Sequence, residues 1–152
     1  MSKKFTLISV VKNEQILLGM KKRGFGLGRY TLLGGKVEEG ETIEEGAQRE
    51  AFEESNLELK DLRQIATINF SWQNKKNPDM EVYLFRANDF SGTLEENDEI
   101  KPEWFEIKNI PYKKMWEDNT YWLPYFLKNK NFKADFILGD NDKVISHQIT
   151  EI

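Results

Sequence analysis

The sequence has 152 residues and a formal net charge of −4 at pH 7, with 22 Lys and Arg against 26 Asp and Glu, a length that favours one domain spanning residues 1–152. It contains no cysteine, which excludes a disulfide scaffold, a thiolate zinc site and a cysteine nucleophile and fits a reducing compartment. No apolar run approaches the roughly 18 residues of a membrane span, and the acidic balance argues against broad binding of duplex nucleic acid.

The first segments of the chain predict strands joined by polar turns. Residues 5–11 are mostly apolar and β-branched, Asn13-Glu14 indicates a turn, and residues 15–20 predict the hairpin partner. Residues 21–29 hold four cations and three glycines around one aromatic side chain and predict a loop. The Gly34-Gly35 pair is expected to begin a second turn. Because the first residues lead straight into a strand, no signal peptide is expected, and we predict a cytoplasmic monomer.

Residues 42–55 give the clearest helix signal. Thr42 and Glu45 have the spacing of a capping box, in which each side chain satisfies a free backbone N–H at the start of the helix. Asn56 follows where a helix often ends with a left-handed residue. The helix is therefore expected to begin and end within this segment.

The remaining segments complete an α+β pattern. The predicted elements are strands at 62–72 and 80–87, an acidic loop at 95–102, a short strand at 103–107, a helix at 120–130, and a closing hairpin of 132–138 and 143–149. Strands dominate and the two helices are far apart along the chain, which is typical of a single α+β domain.

The first helix carries more carboxylates on its core side than packing explains. Glu50, Glu53 and Glu54 share one face by their spacing. At 100° per residue, Ile43, Ala47, Glu50, Glu54 and Leu57 fall within an arc of roughly 80°. One interpretation is a solvated acidic face. The other is a bound cation, because buried carboxylates are costly unless they are paired, hydrogen-bonded or bound to a metal.

Nearby residues fit chemistry on phosphates. Carboxylate oxygens suit Mg²⁺, which bridges protein carboxylates to substrate phosphates. Arg49 is placed to hold a carboxylate in orientation, and Lys21, Lys22 and Arg23 offer positive charge. Together these parts predict metal-assisted phosphoryl transfer to water, in which charge neutralisation and positioning do most of the catalysis.

A long fixed spacing runs through this helix. Gly35 is followed after five residues by Glu41, and after seven more by Arg-Glu, an apolar residue, any residue, Glu-Glu, any residue, a turn residue and an apolar residue, ending at position 57. This pattern is similar to the Nudix box. It departs from the box at Ala51, which is smaller than the usual branched residue, and at Asn56, which replaces the usual glycine. Neither departure removes a carboxylate.

The likeness to known sequences extends beyond the box to residues 17–26, Trp104-Phe105, Ile110-Pro111, Met115-Trp116 and Tyr121-Trp122. From about residue 6 to residue 149 the sequence therefore resembles the Nudix hydrolases, and among them the animal MutT homologues that act on oxidised purine nucleoside triphosphates. The resemblance implies an αβα sandwich with a mixed sheet between helices and the box as loop, helix and loop. It also implies hydrolysis of substrates such as 8-oxo-dGTP to the monophosphate and pyrophosphate with Mg²⁺, or with Mn²⁺ in its place. The alternatives are a Nudix hydrolase for a dinucleoside polyphosphate, nucleotide sugar or capped RNA, and a non-catalytic nucleotide-binding regulator.

The resemblance also implies a metal site and its catalytic residues. The implied metal ligands are Glu50, Glu53, Glu54, Glu99 and a main-chain carbonyl near Gly34. Among these, Glu53, Glu54 or Glu99 would accept the proton from water, and the sequence leaves the choice open. The other interpretation of Glu99, in the acidic loop, is a solvated surface acid.

A base pocket follows from the same resemblance. Its walls and polar rim would come from Thr6, Lys21, Phe25, Phe70, Trp72, Met80, Trp116 and Trp122. Plain core packing is the alternative for Phe70 and Met80. Trp116 lies in a polar stretch, where a core residue is less expected.

The purine edge is where the sequence departs from the family. Asp118-Asn119 stands where the animal enzymes have two aspartates, and Thr31 stands where they have an asparagine that touches the base. Two close carboxylates can share a proton, whereas Asn119 always presents one carbonyl and one amide donor. We therefore expect a base preference that is narrower or shifted.

Two further features carry no predicted function. Asp140-Asn141-Asp142 is similar to the start of a calcium loop, but Ile145 stands where that loop needs glycine, so we interpret the segment as a turn. His147 is the only histidine and lies in a strand-like segment, which favours a structural role.

Overall fold

The computed structural model describes residues 3–152. The expectation that no signal peptide is present rests in part on Met1 and Ser2, which lie outside the described residues. Over this range the chain forms two α-helices and eleven β-strands. The helices are α1 (Ile43–Ser55) and α2 (Asn119–Leu127). The strands are β1 (Lys3–Lys12), β2 (Gln15–Lys21), β3 (Tyr30–Thr31), β4 (Leu33–Lys36), β5 (Glu58–Lys60), β6 (Arg63–Trp72), β7 (Met80–Ala87), β8 (Asp89–Ser91), β9 (Ile100–Glu106), β10 (Phe132–Leu138) and β11 (Val144–Glu151).

Nine of these strands form one mixed sheet. Its order is β11-β10-β6-β7-β1-β2-β3, with β4 paired to β1 and β9 paired to β2. The β1–β7 and β6–β10 pairs are parallel and the other pairs are antiparallel. A separate two-stranded sheet joins β5 and β8.

The sheet lies between the two helices. Ala47 and Ala51 of α1 pack into one buried apolar cluster, and Trp122 and Phe126 of α2 pack into another. A sheet with apolar residues on both faces must be covered on both. The predicted α+β class and αβα arrangement are therefore confirmed.

Turn and capping residues in the sequence correctly predicted the first hairpin and the ends of α1. Asn13 and Glu14 both have positive φ, as expected for a tight turn between antiparallel strands. Thr42 and Glu45 form the reciprocal capping box, and Asn56 ends α1 in the left-handed region with φ of 66°. Among residues 3–152, neither helix has the length and apolar composition needed to cross a bilayer.

The prediction that Gly34-Gly35 begins a turn was wrong. Both glycines lie within β4 and pair with Leu7 and Thr6 of β1. A Cβ at Gly34 would lie 1.9 Å from the Thr6 carbonyl oxygen. Glycine is needed here because two backbones approach closely, whereas the turn itself comes after β4.

Other element boundaries also differ from the prediction. The strand expected at 103–107 begins at Ile100 and pairs with β2 along its length. The second helix begins at Asn119 and ends at Leu127, before the expected residue 130. The short strands β3, β5 and β8 were not predicted, because two or three residues are too few to show the alternation of apolar and polar residues that indicates a strand.

Candidate active site

Two carboxylates of α1 lie on its buried side, as the helical wheel predicted. Glu54 is 6 % exposed, and its Oε1 accepts a hydrogen bond of 2.8 Å from the Gly34 backbone N–H. The Glu50 side chain is 18 % exposed and lies against Gly35, where a Cβ would come within 2.5 Å of the Glu50 carboxyl carbon. The missing side chain of Gly35 therefore leaves room for the Glu50 carboxylate, and the backbone of Gly34 binds the Glu54 carboxylate.

Arg49 organises the carboxylates around it. Its Nη1 donates to Glu50 Oε1 and Glu53 Oε1, each at 2.9 Å. Its Nε and Nη2 donate to the two carboxylate oxygens of Glu41 at 3.0 and 2.7 Å, and Nη2 also donates to the Lys36 carbonyl at 3.0 Å. Arg49 is thus a positioning residue, and Glu41, absent from the predicted site, anchors it.

Glu41 and Glu54 occupy opposite electrostatic environments. The hydrogen bond from Arg49 lowers the pKa of the Glu41 carboxyl to about 2. Burial raises the pKa of the Glu54 carboxyl to about 8, although the Gly34 N–H opposes the rise, and nearby Glu50 and Glu99 add to it. Burial likewise raises the pKa of Glu50. For both Glu50 and Glu54, burial therefore outweighs the positive charge that Arg49 and Lys21 bring to this end of α1.

The acidic loop reaches the same region through its backbone and side chains. Asn97 Nδ2 donates to the carbonyls of Glu53 and Glu54 at 3.1 Å each, which ties the loop to the end of α1. The Glu99 carboxylate pairs with Arg23 Nη2 at 3.3 Å. Asn97 was missed because an amide in a polar loop gives no sequence signal.

This donor set fits a hard divalent cation by its chemistry. The predicted ligands Glu50, Glu54 and Glu99 are oxygen donors. The Glu99 carboxylate lies close enough to add to the raised pKa of both Glu50 and Glu54, and a cation relieves such repulsion. Glu53 is 51 % exposed and turns to Arg49. In the described part of the chain, no three acidic or histidine side chains converge as a ready-made cluster.

A cavity of about 250 Å³ opens beside this acidic end. Of the predicted pocket residues, those that line it are Thr6, Lys21, Phe25, Thr31, Phe70, Trp72, Met80, Trp116, Asp118 and Asn119. The same cavity reaches Gly34, Gly35 and Glu54. An apolar cleft and the acidic helix thus share one continuous space.

Trp122 is the exception among the predicted pocket residues. It is fully buried in the core and does not line the cavity. Its Nε1 donates to Asp118 Oδ2 at 2.7 Å. Trp122 therefore holds the Asp118 carboxylate by a hydrogen bond from the core side and does not form a wall of the cavity.

Three aromatic side chains form the open end of the cavity. The rings of Phe25 and Trp116 are 4.9 Å apart, and those of Trp72 and Trp116 are 6.4 Å apart and nearly perpendicular, at 79°. Phe25 projects from the glycine loop and is 55 % exposed. Such flat apolar walls suit an aromatic ligand.

Asp118 and Asn119 are both buried beside these walls. Burial raises the pKa of Asp118 to about 6, although the Trp122 hydrogen bond opposes the rise. Asn119 Nδ2 donates to the Trp116 carbonyl at 3.0 Å. Since that carbonyl can only accept, the amide orientation is fixed, and Asn119 Oδ1 stays an acceptor.

The cations of the loop at residues 21–29 either line the cavity or pair with acidic side chains. Lys21 lines the cavity, as the resemblance implied. Lys22 instead pairs with Glu96 at 2.6 Å, and Arg23 pairs with Glu99. The expected supply of positive charge for phosphates therefore narrows to Lys21 at the cavity itself.

Comparisons with known proteins agree with this geometry. The family model described as the NUDIX domain matches residues 3–126. Over 151 residues the chain is 42 % identical to the oxidized purine nucleoside triphosphate hydrolases of mouse and of zebrafish, covering 99 % of this chain and 96 % of each relative. The crystal structure of a MutT protein from Bacillus halodurans matches with a TM-score of 0.87 over 97 % of each chain at 22 % identity.

Proposed function

Because this chain belongs to the Nudix hydrolase family and joins an aromatic cleft to an acidic helix, we propose that it hydrolyses modified purine nucleoside triphosphates. The substrates would be of the 8-oxo-dGTP type, and the products would be the nucleoside monophosphate and pyrophosphate. Such an activity removes damaged nucleotides from the pool before they enter DNA. The mouse and zebrafish relatives named for this class of reaction support the proposal.

One observation carries the proposal: a single cavity holds both halves of a nucleotide site. Trp72, Trp116 and Asp118 lie at one end, and Glu54 and Gly34 lie at the other. A purine packed against the aromatic walls would place its phosphates beside the acidic helix. Lys21 lines the same cavity and faces Glu54 closely enough to lower the pKa of that carboxyl, so it is suited to meet a phosphate.

Nudix hydrolases generally use a divalent metal, and here we propose Mg²⁺, with Mn²⁺ as a substitute. Glu50, Glu53, Glu54, Glu99 and the Gly34 carbonyl would hold it. When bound, the cation neutralises phosphate charge and lowers the pKa of the attacking water. Both metals accept carboxylate and carbonyl oxygens, the only donors in this set.

The chain's own residues orient the reaction. Arg49 fixes Glu50 and Glu53 through its Nη1, so their oxygens are in place before substrate binds. The proton leaves the attacking water for a carboxylate. Glu53, Glu54 and Glu99 are the groups proposed for that role, and the anhydride bond breaks as the water oxygen bonds to phosphorus.

Base selection falls to Asp118 and Asn119. We propose that Asp118 accepts from a purine ring N–H or amino group, and that Asn119 pairs with the neighbouring edge atom. The Asn119 amide is already committed to Trp116 through one N–H, so it cannot change its pattern as a carboxyl pair does. Thr31, which lines the cavity, completes a recognition edge that favours a narrower range of bases.

The test is pyrophosphate release with Mg²⁺ over a panel of dGTP, 8-oxo-dGTP, 2-hydroxy-dATP, O6-methyl-dGTP, N6-methyl-dATP, an ADP-sugar and diadenosine tetraphosphate. We expect one modified purine triphosphate to exceed dGTP in kcat/KM by about tenfold or more, which corresponds to about 1.4 kcal/mol. Glu54→Gln serves as the control and should lose turnover while keeping its fold.

Other outcomes of the panel would reject the proposal in different ways. Activity only on the ADP-sugar or diadenosine tetraphosphate would point to another Nudix substrate. Equal rates for 8-oxo-dGTP and 2-hydroxy-dATP would contradict the narrowed base range. Substrate binding without turnover on any member would indicate a regulator.

We also propose that the protein acts as a monomer in the cytoplasm. The lack of cysteine fits a reducing compartment. The cavity reaches from the aromatic walls to Glu54 within one chain, so a partner subunit is not needed to complete it. Sedimentation at assay concentration checks the monomer, and localisation of the tagged full chain checks the compartment.

A further inference from the structure

A buried carboxylate outside the cleft connects two of its walls. Asp142 lies in the turn between β10 and β11 and is only 8 % exposed. Its Oδ1 accepts a hydrogen bond of 2.7 Å from the indole Nε1 of Trp72. Its Oδ2 accepts one of 3.0 Å from Nη1 of Arg29. One side chain thus holds residues that are 70 and 113 positions away.

One partner is a wall of the cavity, and the other contacts a wall. Trp72 is itself a wall. The Arg29 guanidinium lies 4.5 Å from the centre of a Trp116 ring, the wall that meets Trp72 edge to face, in a cation–π contact. Asp142 therefore acts on Trp72 directly and on Trp116 through Arg29.

The residues that follow Asp142, at the start of β11, contact the segment around Trp116 as well. The Val144 N–H donates to Glu117 Oε1 at 2.8 Å, and Lys143 pairs with Glu117 at 3.3 Å. The turn therefore holds the chain beside Trp116 in place by its backbone as well. This arrangement fixes both tryptophans to one loop of the sheet.

The charge of Asp142 is well compensated where it lies. Burial alone would raise the pKa of this carboxyl, but the donors from Trp72, Arg29 and Lys76 hold the pKa below its usual value. Lys76 Nζ approaches at 3.4 Å. The carboxylate thus stays ionised and strengthens each of these hydrogen bonds.

We propose that Asp142 is a positioning residue of the base cleft, which sets the Trp72 and Trp116 walls at their spacing before substrate arrives. The inference rests on the proposed function, because it assumes that a purine packs against these walls. A wall held in advance lowers the cost of ordering it on binding. In the described part of the chain, the Asp142 carboxylate pairs with Trp72, Arg29 and Lys76 and not with the acidic residues of α1, so it should affect KM and base preference more than kcat.

The test compares wild type with Asp142→Asn, Trp72→Phe and Asp140→Asn, using 8-oxo-dGTP and dGTP. Asp142→Asn should raise KM for 8-oxo-dGTP by about tenfold, the range expected for a lost charge-assisted hydrogen bond, with kcat within about twofold. The preference over dGTP should shrink with it. Trp72→Phe keeps an aromatic wall but loses the Nε1 donor, and should move KM the same way by a smaller factor.

Asp140→Asn is the matched control. Asp140 lies in the same turn, but its side chain is exposed and its Oδ1 accepts a hydrogen bond of 3.1 Å from Asn74 Nδ2, away from the cavity walls. Its variant should leave KM and preference unchanged. If Asp142→Asn fails to melt cooperatively, Trp72→Phe carries the test, since it leaves Asp142 with both of its cations.

The outcomes separate this inference from the proposed function. A wild-type preference for 8-oxo-dGTP that both Asp142→Asn and Trp72→Phe retain, at unchanged KM, would overturn the positioning role alone. A fall in kcat with unchanged KM would also overturn it. A wild type without preference among triphosphates would overturn the proposed function and this inference together.

Discussion

Asp118 should make the stability of this protein depend on pH between about pH 4 and pH 6. The side chain is buried and its pKa rises from the usual 3.8 to about 6, chiefly through burial. As pH increases through this window, the unfolded chain releases the Asp118 proton before the folded chain does. The free energy of unfolding therefore falls with rising pH and levels off above the folded pKa.

The size of the effect follows from the same values. A rise from 3.8 to about 6 corresponds to about 3 kcal/mol at 1.36 kcal/mol for each tenfold change in acidity. Nearby charges bear on this carboxyl in opposite directions, because Arg29 lowers its pKa and Asp142 raises it. About 3 kcal/mol is the upper limit of the change in unfolding free energy, since local relaxation of the folded chain reduces the cost of burying the Asp118 charge.

The assay is urea unfolding of wild type and Asp118→Asn at a series of pH values. The variant keeps an oxygen that can accept from Trp122 Nε1 but has no proton to release. Its stability relative to wild type should therefore rise by up to about 3 kcal/mol from pH 4 to pH 7. Asp140→Asn, which removes one exposed carboxylate, controls for net charge. A stability difference that stays constant across this range would refute the reasoning.

Three other changes test the acidic end of the site. Gly34→Ala places a Cβ 1.9 Å from the Thr6 carbonyl oxygen, whereas the Cβ of Gly40→Ala meets no atom within 4 Å. Thermal melts should therefore show a loss of unfolding free energy of at least about 2 kcal/mol for the first variant and about 1 kcal/mol for the second. Equal losses would contradict the close approach of β4 to β1. Glu41→Gln weakens the anchor of Arg49 and should lower kcat by about 10- to 100-fold with the melting temperature little changed, and an unchanged kcat would argue against the positioning role. Chelation of divalent metal should abolish turnover and added Mg²⁺ should restore it, while persistent activity in excess chelator would reject the metal assignment.

Local patterns accounted for much of the fold and for the centre of the site. The capping box at Thr42 and Glu45 and the left-handed Asn56 bounded α1 closely, because caps depend on neighbours within a few residues. The burial of Glu54 followed from helical periodicity alone. The closing hairpin was equally well placed, since β10 alternates buried and exposed residues along its length.

Where the prediction failed, a strand from elsewhere in the chain decided the outcome. The Gly34-Gly35 pair has the composition of a turn, but its place beside β1 makes it a strand. Ile100 begins β9 inside a segment that looks like an acidic loop, because β2 offers it a partner. Pairing of this kind depends on which strands become neighbours, and a short window of sequence contains no information on that.

The sequence by itself therefore indicated the family through the fixed spacing of the Nudix box, and the helix that carries the box through local periodicity. The residues around the cavity were implied by the family resemblance. Only the tertiary structure decided which side chains hold one another. It turned Trp122 away from the cavity to bind Asp118, gave Arg49 its anchor at Glu41, and brought Asp142 to Trp72 across 70 residues. The physical reason is that hydrogen bonds and burial act through space, and separation along the chain does not measure distance in the folded molecule.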